Sequence, residues 1–156
     1  MTPQNSALIG RLQQNLADIE QVVDRTDALL QKYLTTQDED YLGTIALNLH
    51  GFYTGTERVF EEVARSLDES LPTGSDWHRR LLQQMSADLP EIRPAVIQPA
   101  TRHLLDDYRA FRHVVRNIYT FDLRGDRIQA LAAGLRTCYQ EVRQDADRFC
   151  AFLRQL

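Results

Sequence analysis

The residues best equipped for chemistry stand together in one stretch, FRHVVRNIY, from Phe111 to Tyr119. Arginine brings a permanent charge and a fixed fork of donors, histidine moves protons near neutral pH, and asparagine and tyrosine orient or donate. With Arg112 at 0° on a helical wheel, Leu104, Phe111, Val115 and Ile118 fall between about −60° and −120°, which predicts a buried stripe. Arg102, Arg109, Arg116 and His113 fall between about +40° and +100°, and Tyr119 comes within about 20° of Arg112, two turns along. One helix edge therefore carries arginines, a histidine and a phenol beside a buried face. That edge suits contact with phosphate; it equally suits a surface helix whose long side chains lie over core residues.

Charge distribution bears on the choice. The chain has a net charge of −4, and of its 18 basic residues only Lys32 is lysine. Between Thr101 and Gly125 five arginines face three aspartates, so this segment is +2 and the remainder −6. A cationic island on an acidic body suits phosphate contact at one place, with Arg109 and Arg116 as its phosphate-binding candidates, and argues against a broad nucleic-acid surface. Other chemistry finds no footing. There is no glycine-rich phosphate loop, no HExxH and no cysteine cluster of zinc spacing, and His50, His78, His103 and His113 form no HxxxH pair. Neither a metal nor a cofactor is expected. On the second predicted helix, His50 and Tyr53 are placed to line the same cleft as the Phe111–Tyr119 stretch.

The elements that must position these residues read as helices. Leu8, Leu12, Leu16, Ile19 and Leu30 give helical spacing over about Ser6 to Leu34, and Leu42, Ile45, Leu49, Phe52, Val59, Val63 and Leu67 do so over about Glu39 to Leu67. Asp38 offers a cap for the second helix. Ser75 or Asp76 caps a short helix from Trp77 to about Leu89, and LPEIRPAVIQP reads as an extended linker. Pro99 opens a fourth helix to about Tyr119, FDLRGD turns the chain, and a last helix runs from about Arg127 to Phe152. The expectation is one all-α domain over residues 1–156, an antiparallel bundle of four long helices with one short accessory helix. Two helices of nearly 30 residues overhang so small a core, which points to a homodimer. Gly51 and Gly55, one turn apart, allow a close backbone approach, within the chain or across a dimer. Trp77 is expected in the core or an interface, and Tyr41 and Tyr108 receive no role.

The N-terminus, MTPQNSALIG, lacks the basic start and apolar block of a secretory signal, and no apolar run is long enough for a bilayer. Cys138 and Cys150 fall about 120° apart on one helix and cannot pair there. Free thiols fit a cytoplasmic protein.

FRHVVRNIY resembles the signature of the HEPN superfamily, specifically of the HepT-like toxins: arginine, a polar neighbour, a histidine and then a tyrosine. Arg112 matches the arginine, His113 the polar neighbour and Tyr119 the tyrosine, while Asn117 stands at the histidine's position. The blocks LNLHGFYTGTERVFE, from Leu47, and LPTGSDWHRRLLQQM, from Leu71, are similar to a HepT-like subgroup, so the resemblance covers most of the chain. It implies an HEPN-like helical bundle and the toxin of a toxin–antitoxin pair, a metal-independent endoribonuclease whose cleft is built by a dimer. Arg112, His113, Asn117 and Tyr119 are then the catalytic candidates. Arginine stabilises charge on the phosphate and histidine moves protons. Asparagine can orient a 2′-hydroxyl but has no useful titration, which leaves His113, or positioning and charge alone, to replace the histidine. The resemblance also implies a nucleotidyltransferase antitoxin that attaches AMP to Tyr119, blocking and neutralising the phosphate site. The alternative implied by Asn117 is a catalytically inactive HEPN module that binds RNA, nucleotide or the nucleotidyltransferase. A purely structural helical adaptor is the third reading.

Overall fold

The computed structural model describes residues 1–117 and 123–156, with side chains other than those of Arg116 and Asn117. Helix α1 spans Pro3–Thr36. It starts three residues before the expected Ser6, because Thr2 accepts the Asn5 N–H on its hydroxyl at 3.1 Å and Pro3 occupies the first turn, where its missing N–H costs nothing. Gln37, left-handed at φ 56°, ends it. Asp38 accepts the Asp40 N–H at 2.9 Å and so helps to launch α2, Asp40–Val63, although Glu39 occupies the cap position. The last turn widens into a π-helical turn, Ala64–Asp68, closed by left-handed Glu69. Helix α3 is Trp77–Met85, α4 is Pro99–Asn117 and α5 is Gly125–Gln155. Asp76 holds the cap position of α3 without a side-chain capping bond.

These helices form an all-α bundle, and no named strand occurs among the described residues. Helix α2 is its hub: it packs against α1, α3, α4 and α5, and α1 and α4 each also pack on α5. The buried side chains form a cluster drawing on every helix, with Leu16, Ile45, Phe52, Leu81, Leu105 and Leu135 fully enclosed. Trp77 and Tyr41 are partly buried against it, and Cys138 and Cys150 are buried free thiols. Among the described residues no helix is long and apolar enough to cross a membrane.

Two expectations are corrected. Phe111 is buried as expected, but Leu104 is 36% exposed and Thr101, Leu105 and Tyr108 are buried in its place; Ile118 lies outside the described residues. The helix is rolled towards Arg112 because it must meet two partners. Tyr108 packs edge-on against Phe52 of α2, with centroids 5.3 Å apart, and donates its hydroxyl to the Leu131 carbonyl of α5 at 2.7 Å. Nor is the stretch from Leu89 to Pro99 an extended linker. It folds back through a bridge between Leu89 and Arg93, and Arg93 is buried. The Arg93 guanidinium grips both carboxylate oxygens of Asp68 at 2.6 Å and donates to the carbonyls of Gln84, Ala87 and Pro94. An arginine fork alone has the donors and planarity to satisfy so many acceptors at once. It fixes α3, and everything that follows it, to the end of α2.

The two glycines part company. A Cβ on Gly55 would lie 2.9 Å from Cγ1 of Ile19, so its close approach is to α1 within the chain, whereas nothing lies within 4 Å of one on Gly51. Gly51→Ala is expected to stabilise the protein by about 1 kcal/mol through helix propensity. Gly55→Ala is expected to lose that gain to displacement of buried Ile19, which costs about 1–3 kcal/mol. Urea unfolding of the two variants checks this; equal stabilisation would contradict it.

Candidate functional site

Helix α2 runs beneath α4 with a mostly apolar face, Leu49, Phe52, Tyr53, Thr56, Val59 and Phe60 being buried. Glu57 lies within that face with its side chain only 4% exposed. An isolated carboxylate there would be expensive, and two partners reach it. From the first turn of α3, His78 places Nδ1 2.5 Å from Glu57 Oε2. From α4, Arg112 places Nε 3.8 Å from Glu57 Oε1 and Nη1 2.9 Å from His78 Nε2. The roll of α4 that buries Tyr108 and Phe111 is what turns Arg112 inward; its side chain is 15% exposed.

The hydrogen bonds decide the histidine tautomer. A guanidinium only donates, so Nε2 of His78 must accept from Arg112, which leaves the ring proton on Nδ1 for Glu57. The three groups form a line from buried carboxylate to imidazole to guanidinium. The ring of Trp77 lies 3.7 Å from that of His78, centroid to centroid, and limits its freedom. Burial pushes the Glu57 carboxyl up to about 7 from its usual range; Arg112 and Arg109 pull the other way and Glu61 adds to the rise.

Above this line opens a cleft of about 510 Å³, lined among the described residues by Ser75, Asp76, His78, Arg79, Arg109, Arg112 and His113. Through Arg79 and Arg109 it continues into a second hollow of about 430 Å³ that adds Arg102, His103 and Asp106. The whole is a groove between α3 and α4 with four arginines and three histidines against two aspartates. Arg109 is paired with Asp106 at 2.8 Å, and Arg79 lies 3.9 Å from Asp76. Such a groove can take a chain of phosphates, with Arg112 at its floor and His78 and exposed His113 on its walls.

Of the residues singled out by sequence, Arg109, Arg112 and His113 are brought together here. Tyr53 is not on the wall: it is fully buried on the inner face of α2, its hydroxyl has no hydrogen-bond partner among the described residues, and burial raises its pKa. His50 is half-buried two turns before Glu57 and is not among the lining residues. The backbone of Arg116 and Asn117 closes α4, and Tyr119 lies outside the described residues. Sequence reasoning missed Glu57, His78 and Arg79. The available signal was an acidic residue recurring at helical spacing among Leu49, Tyr53 and Phe60.

A family model described as HepT-like protein matches residues 44–153, more than half of the chain. No curated protein and no solved structure matches. The chain belongs to the HepT-like family, within the HEPN superfamily.

The raised Glu57 pKa has a consequence for stability. Between the ordinary carboxylate range and about 7, the folded protein holds a proton that the unfolded chain has lost. Its contribution is complete below that range and is lost as pH rises through about 7. Relative to Glu57→Gln, the protein is expected to lose on the order of 2 kcal/mol of unfolding free energy between about pH 5 and 8. Urea denaturation of both proteins across that range measures it, and parallel curves would contradict it.

Proposed function

From that membership, we propose that the chain is the toxin of a toxin–antitoxin pair and acts as a metal-independent endoribonuclease in the cytoplasm. The observation that carries this reading is Arg112 at the floor of a groove lined by arginines and histidines. Arg112 is placed to stabilise charge that develops on a bound phosphodiester, a role worth several kcal/mol in a partly desolvated site. Arg109 and Arg116 hold neighbouring phosphates, Asn117 orients the 2′-hydroxyl, and His113 is the proton-transfer candidate within the motif. A homodimer would set two copies of the motif face to face. A nucleotidyltransferase antitoxin would silence the toxin by attaching AMP to Tyr119, whose phosphate would then compete for the same arginines.

A second reading is favoured by one specific feature, Asn117 in the histidine's place. In it the groove binds RNA, nucleotide or the nucleotidyltransferase without cleavage. Binding in either case should weaken with salt, because counterions are released from the phosphates.

The two readings separate in one assay. With EDTA present, the parent is expected to cleave RNA, Arg112→Ala to lose about 100-fold or more, and His113→Ala to lose less. Retention of full activity by Arg112→Ala would remove the site assignment. Salt-sensitive binding without any cleavage by the parent would select the second reading.

A further inference from the structure

We propose that His78, rather than a residue of the Phe111–Tyr119 motif, takes the proton from the 2′-hydroxyl, and that Glu57 is its positioning residue. The inference rests on the ribonuclease reading and replaces its proton-transfer candidate, His113, since asparagine stands where a histidine would transfer protons. Helix α3 supplies an imidazole from outside the motif. His78 Nε2 accepts from Arg112 Nη1 at 2.9 Å, so the base and the phosphate-binding cation are already adjacent, and both line the cleft. Its other nitrogen is committed to a carboxylate buried in α2, 2.5 Å away. That carboxylate fixes the tautomer with a lone pair on Nε2 and stabilises the imidazolium that forms when Nε2 gains a proton. His113 is exposed and lines the same cleft.

The resting contact supplies the trigger. A phosphodiester entering the groove draws the Arg112 N–H groups onto a non-bridging oxygen. Nε2 of His78 thereby exchanges one donor, the guanidinium, for another, the 2′-hydroxyl of the same nucleotide. The hydroxyl proton passes to Nε2 while its oxygen attacks phosphorus. The 2′-O–P bond forms, the P–O5′ bond breaks, and the 5′-oxygen leaves with a proton from water in the open cleft. The hydroxide so formed takes the proton back from His78. The products are a 2′,3′-cyclic phosphate and a 5′-hydroxyl; nothing is oxidised or reduced, and no metal enters the balance.

The base works only while Nε2 lacks hydrogen. Glu57 is faced by His78 from α3, by Arg112 and Arg109 from α4, and by Glu61 of its own helix; His78 is faced across the cleft by Asp76, Arg79 and His113. A proton added to the ring, or to Glu57 Oε2, leaves a hydrogen on Nε2 and sets donor against donor at Arg112. Activity should therefore rise with pH through about 7, the range to which burial pushes the Glu57 carboxyl. Replacing Glu57 by Gln removes the anion beside the ring and should move that rise to lower pH.

The test is single-turnover cleavage of an RNA oligonucleotide in EDTA by the full chain and by Arg112→Ala, His78→Ala and Glu57→Gln, with binding measured on the 2′-deoxy analogue. We expect His78→Ala to lose about 100-fold or more in rate with nearly unchanged binding, and added imidazole to restore part of the rate in proportion to its concentration. A merely structural histidine would give neither that split nor that rescue. If His78→Ala cleaves as fast as the parent, or loses activity together with binding and is not rescued, the inference falls while the ribonuclease reading stands. If the parent cleaves no RNA, that reading falls and the inference with it. Should circular dichroism show His78→Ala unfolded, the pH profile of Glu57→Gln decides: a shift of the rise to lower pH supports the relay, and an unchanged profile overturns it.

Discussion

A carboxylate enclosed in a helical core is tolerable only if something comes to meet it, and in this protein most of the site follows from meeting Glu57. It projects from α2, the helix that touches all the others, so any partner must arrive on a neighbouring helix. His78 comes from α3 and Arg112 from α4, and each needs its own helix held in register. The buried Asp68–Arg93 pair anchors the end of α2 to the loop after α3. Tyr108, bonded to α5 and packed on Phe52, sets the roll of α4. Two contacts that are not part of the cleft lining thus help to set where the imidazole and the guanidinium stand.

The same arrangement explains why the groove is cationic while the protein is acidic. Its aspartates, Asp76 and Asp106, each lie beside an arginine at the rim, and Glu57 is withdrawn beneath the floor. The negative charge of the body lies elsewhere. Burial of Glu57 does two things at once: it neutralises part of the Arg112 field from below, and it fixes the orientation of His78 from behind.

Much of this was legible in the residues. Helical spacing located the helices of the described residues to within a few residues, and Arg109, Arg112 and His113, which share one helix and its wheel, line one cleft. The errors have physical causes. A wheel built on apolar residues put Leu104 in the α4 stripe, because it could not register that Tyr108 would meet two neighbouring helices and that Thr101 would be buried. Three prolines in the stretch after α3 suggested an extended linker, because a single arginine satisfying Asp68 and three carbonyls leaves no periodic trace. Tyr53 was placed on a wall it lies beneath, since a phenol at helical spacing reads the same whether its ring is covered or open.

By itself the sequence determined that this is an all-helical protein of the HepT-like kind, and that Arg109, Arg112 and His113 share one helix. Those properties are local: they reside in periodicity and in the order of a few residues along one helix. Only the tertiary structure decided that Arg112 turns inward and meets His78 and Glu57, which lie 34 and 55 positions earlier in the chain. Such a contact depends on the roll and register of three helices, and those are set by packing that no single helix encodes. The motif thus changed from a self-contained edge into one third of a site, the other two thirds being supplied by α2 and α3.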